Sequence, residues 1–206
     1  MSAMTEKVEE EGNEEEESAW VSSSAPGDLR VALPATWWVV PLTDSAARSR
    51  SVRALVERQV GRADVQVSLR HELRRELSAT LDAAHREGGR LFATSLMEVA
   101  GRPVSATVTT FRLGPERTLD GQRRRVRMLG GEASEAIGPY GTVLRQVRES
   151  NGPDVWGCTD LRQLVVDYWF DPDDGEGLFR ATFTTPHLPL RDAMTELFDT
   201  IVAGIG

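Results

Sequence analysis

The sequence predicts an α+β fold: one domain on a mostly antiparallel sheet of about six to eight strands, with an early helical pair and a C-terminal helix. Three observations carry that prediction. Segments with alternating or β-branched character follow one another across short turns rich in Gly, Pro and Asp, the connection that antiparallel strands use. Two adjacent stretches with apolar residues at three- and four-residue steps interrupt the strands early. A third stretch of that kind closes the chain.

Residues 1–27 hold eight glutamates against one lysine, Lys7, and no core pattern, so a disordered acidic tail is expected there and the domain is read as residues 28–206. Its one apolar pair is Trp20-Val21, and three uses stay open: a solubilising arm, a short docking motif or an electrostatic mimic of nucleic acid. Arg30 to Pro34 is a short strand signal. Thr36 to Leu42, rich in aromatic and β-branched residues, is a second, and its prolines place it at a sheet edge or a strand start. Thr43-Asp44-Ser45 supplies oxygen side chains for a helix N-cap. Val52, Leu55, Val56 and Val60 then mark one helix face, ended by Gly61. A longer helix is predicted from about Ala63 to His85, with Val65, Leu69, Leu73, Leu77, Leu81 and Ala84 as its stripe and Gly88-Gly89 as its stop. Arg90–Val99 and Val104–Leu113 read as a hairpin. Residues 114–130 are polar and ambiguous. Glu132–Ile137 with Thr142–Val147, and Leu161–Phe170 with Leu178–Thr184, complete the strands. Leu190, Ala193, Met194, Leu197, Ile201 and Ile205 mark the final helix.

Two short segments carry a family resemblance. Arg30-Val31-Ala32-Leu33-Pro34, followed two residues later by Trp37, is similar to the start of PsbP-like and DcrB-like domains. Leu178-Phe179-Arg180-Ala181-Thr182-Phe183-Thr184-Thr185-Pro186, followed by a helix, resembles their last strand and helix. The order of elements over residues 28–206 also resembles that of uncharacterised actinobacterial proteins of similar size. The resemblance implies an α+β fold that binds other proteins, as an adaptor or chaperone serving a secretion or envelope system. It implies no shared catalytic set.

Composition and motifs narrow the chemistry. Outside residues 1–27 the chain has 24 acids and 23 bases, a balance that argues against a general nucleic-acid binder. Cys158, the one cysteine, excludes a disulfide framework and a cysteine-built metal site. His71-Glu72-Leu73-Arg74-Arg75 begins like a zincin helix, but the second ligand position holds the cation Arg75. His71 and His85 share a helix face roughly 21 Å apart, too far for one ion. The loop from Asp171 has Gly175 and Glu176 where a calcium loop needs an oxygen ligand and a glycine, so it reads as a hairpin turn. Cys158 needs a base, and His187 is the one histidine outside the long helix. Gly175-x-Gly177 lacks the third glycine and the helix of a dinucleotide site.

No metal and no cofactor is therefore expected. The absence of a basic, apolar leader predicts a cytoplasmic location, and no apolar run approaches the roughly 18 residues of a membrane span. The residues left for function are the aromatic pair Trp37 and Trp38, as anchors for a protein partner, and the basic run Arg123, Arg124, Arg125 and Arg127, read as an exposed strand. The reading they support is a non-catalytic cytoplasmic adaptor or chaperone. The alternatives are a small enzyme with an unrecognised acid/base site, and a nucleic-acid-linked regulator using Arg123 to Arg127.

Overall fold

A computed structural model describes residues 20–23, 29–60, 67–152 and 161–206. In chain order the elements are β1 (Trp20–Ser23), β2 (Val31–Pro34), β3 (Trp37–Pro41), α1 (Ser45–Val60), α2 (Val67–Arg86), β4 (Gly89–Ser95), β5 (Met97–Val99), β6 (Arg102–Val104), β7 (Thr107–Arg112), α3 (Leu119–Leu129), β8 (Glu132–Gly138), β9 (Gly141–Asn151), β10 (Arg162–Phe170), β11 (Phe179–Thr185), a 3-10 turn (Leu188–Leu190) and α4 (Arg191–Ala203). Seven strands make one antiparallel sheet in the order β3-β4-β7-β11-β10-β9-β8, and β1-β2 and β5-β6 form two small ribbons. The fold is α+β, as expected.

Local chemistry explains the boundaries. Asp44 caps α1: its Oδ1 accepts the N–H groups of Ala46 at 2.8 Å and Ala47 at 3.0 Å. Those bonds hold its carboxyl below the usual aspartate range. After α2 the chain must reverse into β4, and Gly88 takes a φ of 90° there. A Cβ on Gly88 would also lie 2.6 Å from the Arg112 carbonyl. Strand β3, which contains Pro41, is an edge strand, because a proline has no N–H to give a second neighbour.

The sheet buries two different faces. On the first, Val166, Tyr168 and Phe170 of β10 and Phe179, Ala181 and Phe183 of β11 meet Met194, Phe198, Ile201 and Val202 of α4. Phe183 stacks on Phe198 with centroids 4.5 Å apart. Strand β2 joins this core, and Gly206 pairs with Arg30 through two backbone hydrogen bonds. On the second face, Val40 and Leu42 pack against Val52 of α1 and Leu81 of α2, while Leu144 and Trp169 pack against Val126 of α3. Arg48–Asp82 and Arg74–Glu57 ion pairs, at 2.8 and 2.7 Å, tie α1 to α2.

Three expectations need correction. Trp20–Ser23 forms a strand paired with Val31–Pro34, so regular structure begins inside the segment read as a tail. Residues 119–129 form helix α3, not an exposed strand. Its start is set by the Thr118 hydroxyl, which accepts the Gly121 N–H, and Leu119, Gln122 and Val126 supply its inward side. The buried face of α4 is Met194, Phe198, Ile201 and Val202, followed by Ile205, whereas Leu190 and Ala193 are exposed and Leu197 is half-buried. Adjacent residues at 201–202 widen the stripe beyond a single row. Cys158 and the stretch from Gly61 to Gln66, which holds the expected start of the long helix, lie outside the described residues.

Two measurements test this core. Phe198→Ala should cost about 3–5 kcal/mol in chemical denaturation, and Leu197→Ala distinctly less. Tyr168 is buried and its hydroxyl donates to Asp199 Oδ1 at 2.7 Å. Burial first, then the Asp199 carboxylate, push its phenol above the usual tyrosine range. A raised folded pKa means that this contribution to stability is complete below about pH 10 and is lost as pH rises further. Folding stability measured from pH 9 to 12 should therefore decline less steeply in Tyr168→Phe than in the parent.

Candidate functional site

Among the described residues, helices cover only the flanks of the sheet's second face. α1 and α2 lie over β3 and β4, α3 lies over β9 and β10, and the middle stays open as a cleft of about 460 Å³. Strand alternation decides which side chains floor it. Asp167 of β10 stands opposite Gln146 of β9 on one side and Thr182 of β11 on the other, while Arg180 and Arg148 occupy the same face two residues away.

Asp167 is 5% exposed, and both its oxygens are engaged. Thr182 Oγ1 donates to Oδ1 at 2.6 Å, and Arg148 Nη2 donates to Oδ2 at 3.1 Å. Gln146 donates through Nε2 to the Gly130 carbonyl at 2.5 Å, which ties the floor to the end of α3. Arg112 is also spoken for: its guanidinium meets Asp174 Oδ2 at 2.6 Å. Burial opposes ionisation of Asp174, but the Glu176 N–H and Arg112 outweigh it and hold the carboxyl below its usual range. The Asp171–Gly177 loop thus closes on itself, with Asp171 accepting the Asp173 N–H and Asp174 that of Glu176, which is hairpin-turn chemistry.

Arg180 is different. Its guanidinium carbon lies 3.9 Å from the centre of the Phe111 ring, a close cation–π contact. It makes no hydrogen bond or ion pair among the described residues, and its Nε is buried without a partner. Burial lowers its pKa against the pull of Asp167 and Glu87, and Arg125 and Arg148 add to the lowering. A guanidinium stays charged at any physiological pH, so the direction reports an under-compensated cation.

The candidate residues separate. Trp37 is 6% exposed inside the first core, which removes it from the surface. Trp38 turns to the other face, packs half-buried against the α1–α2 cluster, and has Arg58 over its ring at 5.9 Å. Both lie at the β3 edge, on the order of 25 Å across the sheet from α3. The four arginines share α3 but not one role. Arg123 binds Glu135 at 2.7 Å and Asp120 at 2.5 Å; the two carboxylates raise its own pKa, and Arg123, helped by Arg127, holds Glu135 below its usual range. Arg125 lines the cleft, and both Arg124 and Arg125 line an adjoining hollow of about 520 Å³. Along the same side of α3, Met128 is 80% and Leu129 64% exposed.

His71 and His85 are exposed on α2, and His187 accepts the Ser105 N–H at Nε2, 3.0 Å away. Among the described residues, no group of three or more His, Cys, Asp or Glu side chains is placed to hold a metal ion, and no helix is long and apolar enough to cross a membrane. Sequence reasoning missed Asp167 and Arg180. A signal existed: Asp167 is the one charge in the run from Leu164 to Phe170, and Arg180 sits between Phe179 and Ala181. No family model, curated protein or solved structure matches this chain.

Asp167→Ala should leave the Thr182 hydroxyl and Arg148 without their acceptor. A loss of about 1–3 kcal/mol in urea unfolding is expected, larger than that of Arg148→Ala, which removes the more exposed partner of the pair.

Proposed function

We propose that the protein is a non-catalytic adaptor or chaperone that docks a segment of another protein along the channel beside α3. One observation carries the reading: two adjoining hollows share Glu116, Arg117, Gln122, Arg125 and Leu129, and their walls combine Arg124 and Arg125, which have no hydrogen-bonded acid among the described residues, with exposed Met128 and Leu129. An elongated surface that is both cationic and apolar suits an acidic, partly hydrophobic peptide better than a compact metabolite. The likeness of residues 30–37 and 178–186 to PsbP-like and DcrB-like domains supports the same class, and with it a role in a secretion or envelope system. The cytoplasm is the compartment proposed. A small enzyme is the second reading, favoured by the convergence of Asp167, Glu87 and Arg180 in one cleft. Against it, both oxygens of Asp167 already accept hydrogen bonds. Nucleic-acid binding through α3 has less to stand on, since Asp120 and Glu135 neutralise Arg123.

The test is a fluorescence-anisotropy titration of the full chain with synthetic peptides that combine glutamate with leucine or phenylalanine. Binding is expected, with a loss of at least about tenfold in Leu129→Asp at an unchanged melting temperature, because that change puts a like charge where the acidic peptide lies. Equal binding by parent and variant would remove α3 from the interface.

A further inference from the structure

We infer that the cleft holds one carboxylate side chain of the docked segment between Arg180, on the sheet, and Arg125, on α3. The inference rests on the docking reading above and gives the partner its chemistry.

The charges around the cleft lead to it. Arg148 is held by Asp167, Arg112 by Asp174, and Arg117 lies 3.5 Å from Glu116. Arg125 and Arg180 have no hydrogen-bonded acid among the described residues, and the remaining lining acid, Glu87, acts on Arg180 only through space. Two unmatched cations against one such acid leave a surplus of about one positive charge in a partly enclosed site, where Coulombic terms exceed their value in water. A monoanion closes that balance. A phosphate dianion overshoots it and meets the buried Asp167 carboxylate at the floor.

Geometry agrees. The Arg180 guanidinium carbon already rests over the Phe111 ring at 3.9 Å, a contact that restrains the side chain, so that less of its freedom is lost when a carboxylate binds. Arg125 comes from a different element, so the two cations face the cleft from floor and wall. Leu129, one helical turn beyond Arg125, borders the same cleft and places an apolar contact beside the charged one. The expected recognition unit is a glutamate or aspartate with an apolar neighbour.

Three synthetic peptides test it by isothermal titration: one acidic, one with every glutamate changed to glutamine, and one with a phosphoserine at the central position. The parent should prefer the acidic peptide to the glutamine peptide by about tenfold or more, as expected for a charge-assisted bidentate contact. Arg180→Gln and Arg125→Gln should each erase most of that preference, and together hardly more than either alone, while binding of the glutamine peptide falls far less. Arg125 is exposed, so its variant keeps the test valid should Arg180→Gln fold poorly. If the parent binds the acidic and glutamine peptides alike, the clamp is wrong and docking stands. Tighter binding of the phosphoserine peptide would overturn the choice of carboxylate. If no peptide binds, docking itself fails and takes the clamp with it.

Discussion

The pairing of β10 with β11, in the register that sets Asp167 opposite Thr182, is the constraint on which the rest of the molecule depends. Side chains on a strand alternate with a period of two. A slip of β10 by one residue would bring Asp167 into the core and turn Tyr168 toward the cleft, and a slip of β11 would do the same to Arg180 and Phe183. The aromatic contacts Tyr168–Phe183 and Phe183–Phe198 exist only in the observed register. So does the Thr182–Asp167 hydrogen bond on the opposite face. One interaction therefore organises the core beneath α4 and the polar floor at once.

The second face follows from that alternation. At its flanks the sheet offers Val40 and Leu42 on one side and Leu144 and Trp169 on the other, and helices cover both. Between them lies the row Gln146, Asp167, Thr182 and Thr109, which satisfies its polar groups laterally or faces solvent. A helix over that row would have to desolvate Asp167 and Arg180 further, at a cost of several kcal/mol per ion by the usual reckoning. The open cleft is thus a consequence of charge placed in the middle of a sheet. Arg180, half-buried against Phe111 with no hydrogen-bonded acid among the described residues, is a local choice that stability alone does not explain, and it singles the site out.

This arrangement divides the basic run of α3 by function. Arg123 is turned back onto β8 by Glu135 and fastens the helix to the sheet, while Arg124 and Arg125 look into the channel. A single stretch of like charge thereby contains both an attachment to the sheet and residues that line the channel. The helix phase separates them, because residues two apart point in different directions.

Much of the architecture was readable residue by residue. Asp44 announced α1, Gly88-Gly89 the end of α2, the prolines an edge position for β3, and the alternation of Trp37 with Trp38 their opposite faces. These are local rules of backbone geometry and side-chain period, and they act within a few residues. Helix α3 was obscured because seven of its eleven residues are polar or glycine, and only Leu119 and Val126 join a hydrophobic cluster. The cleft could not be read in one dimension at all. Arg125, Arg148, Asp167 and Arg180 belong to four different elements, and their meeting depends on strand order and on which flank each helix chose. Pattern along the chain sets the elements, their faces and their ends. Only the packed sheet decides which charges become neighbours, because Coulomb energy depends on distance in space and on burial, and neither is written in the spacing of residues.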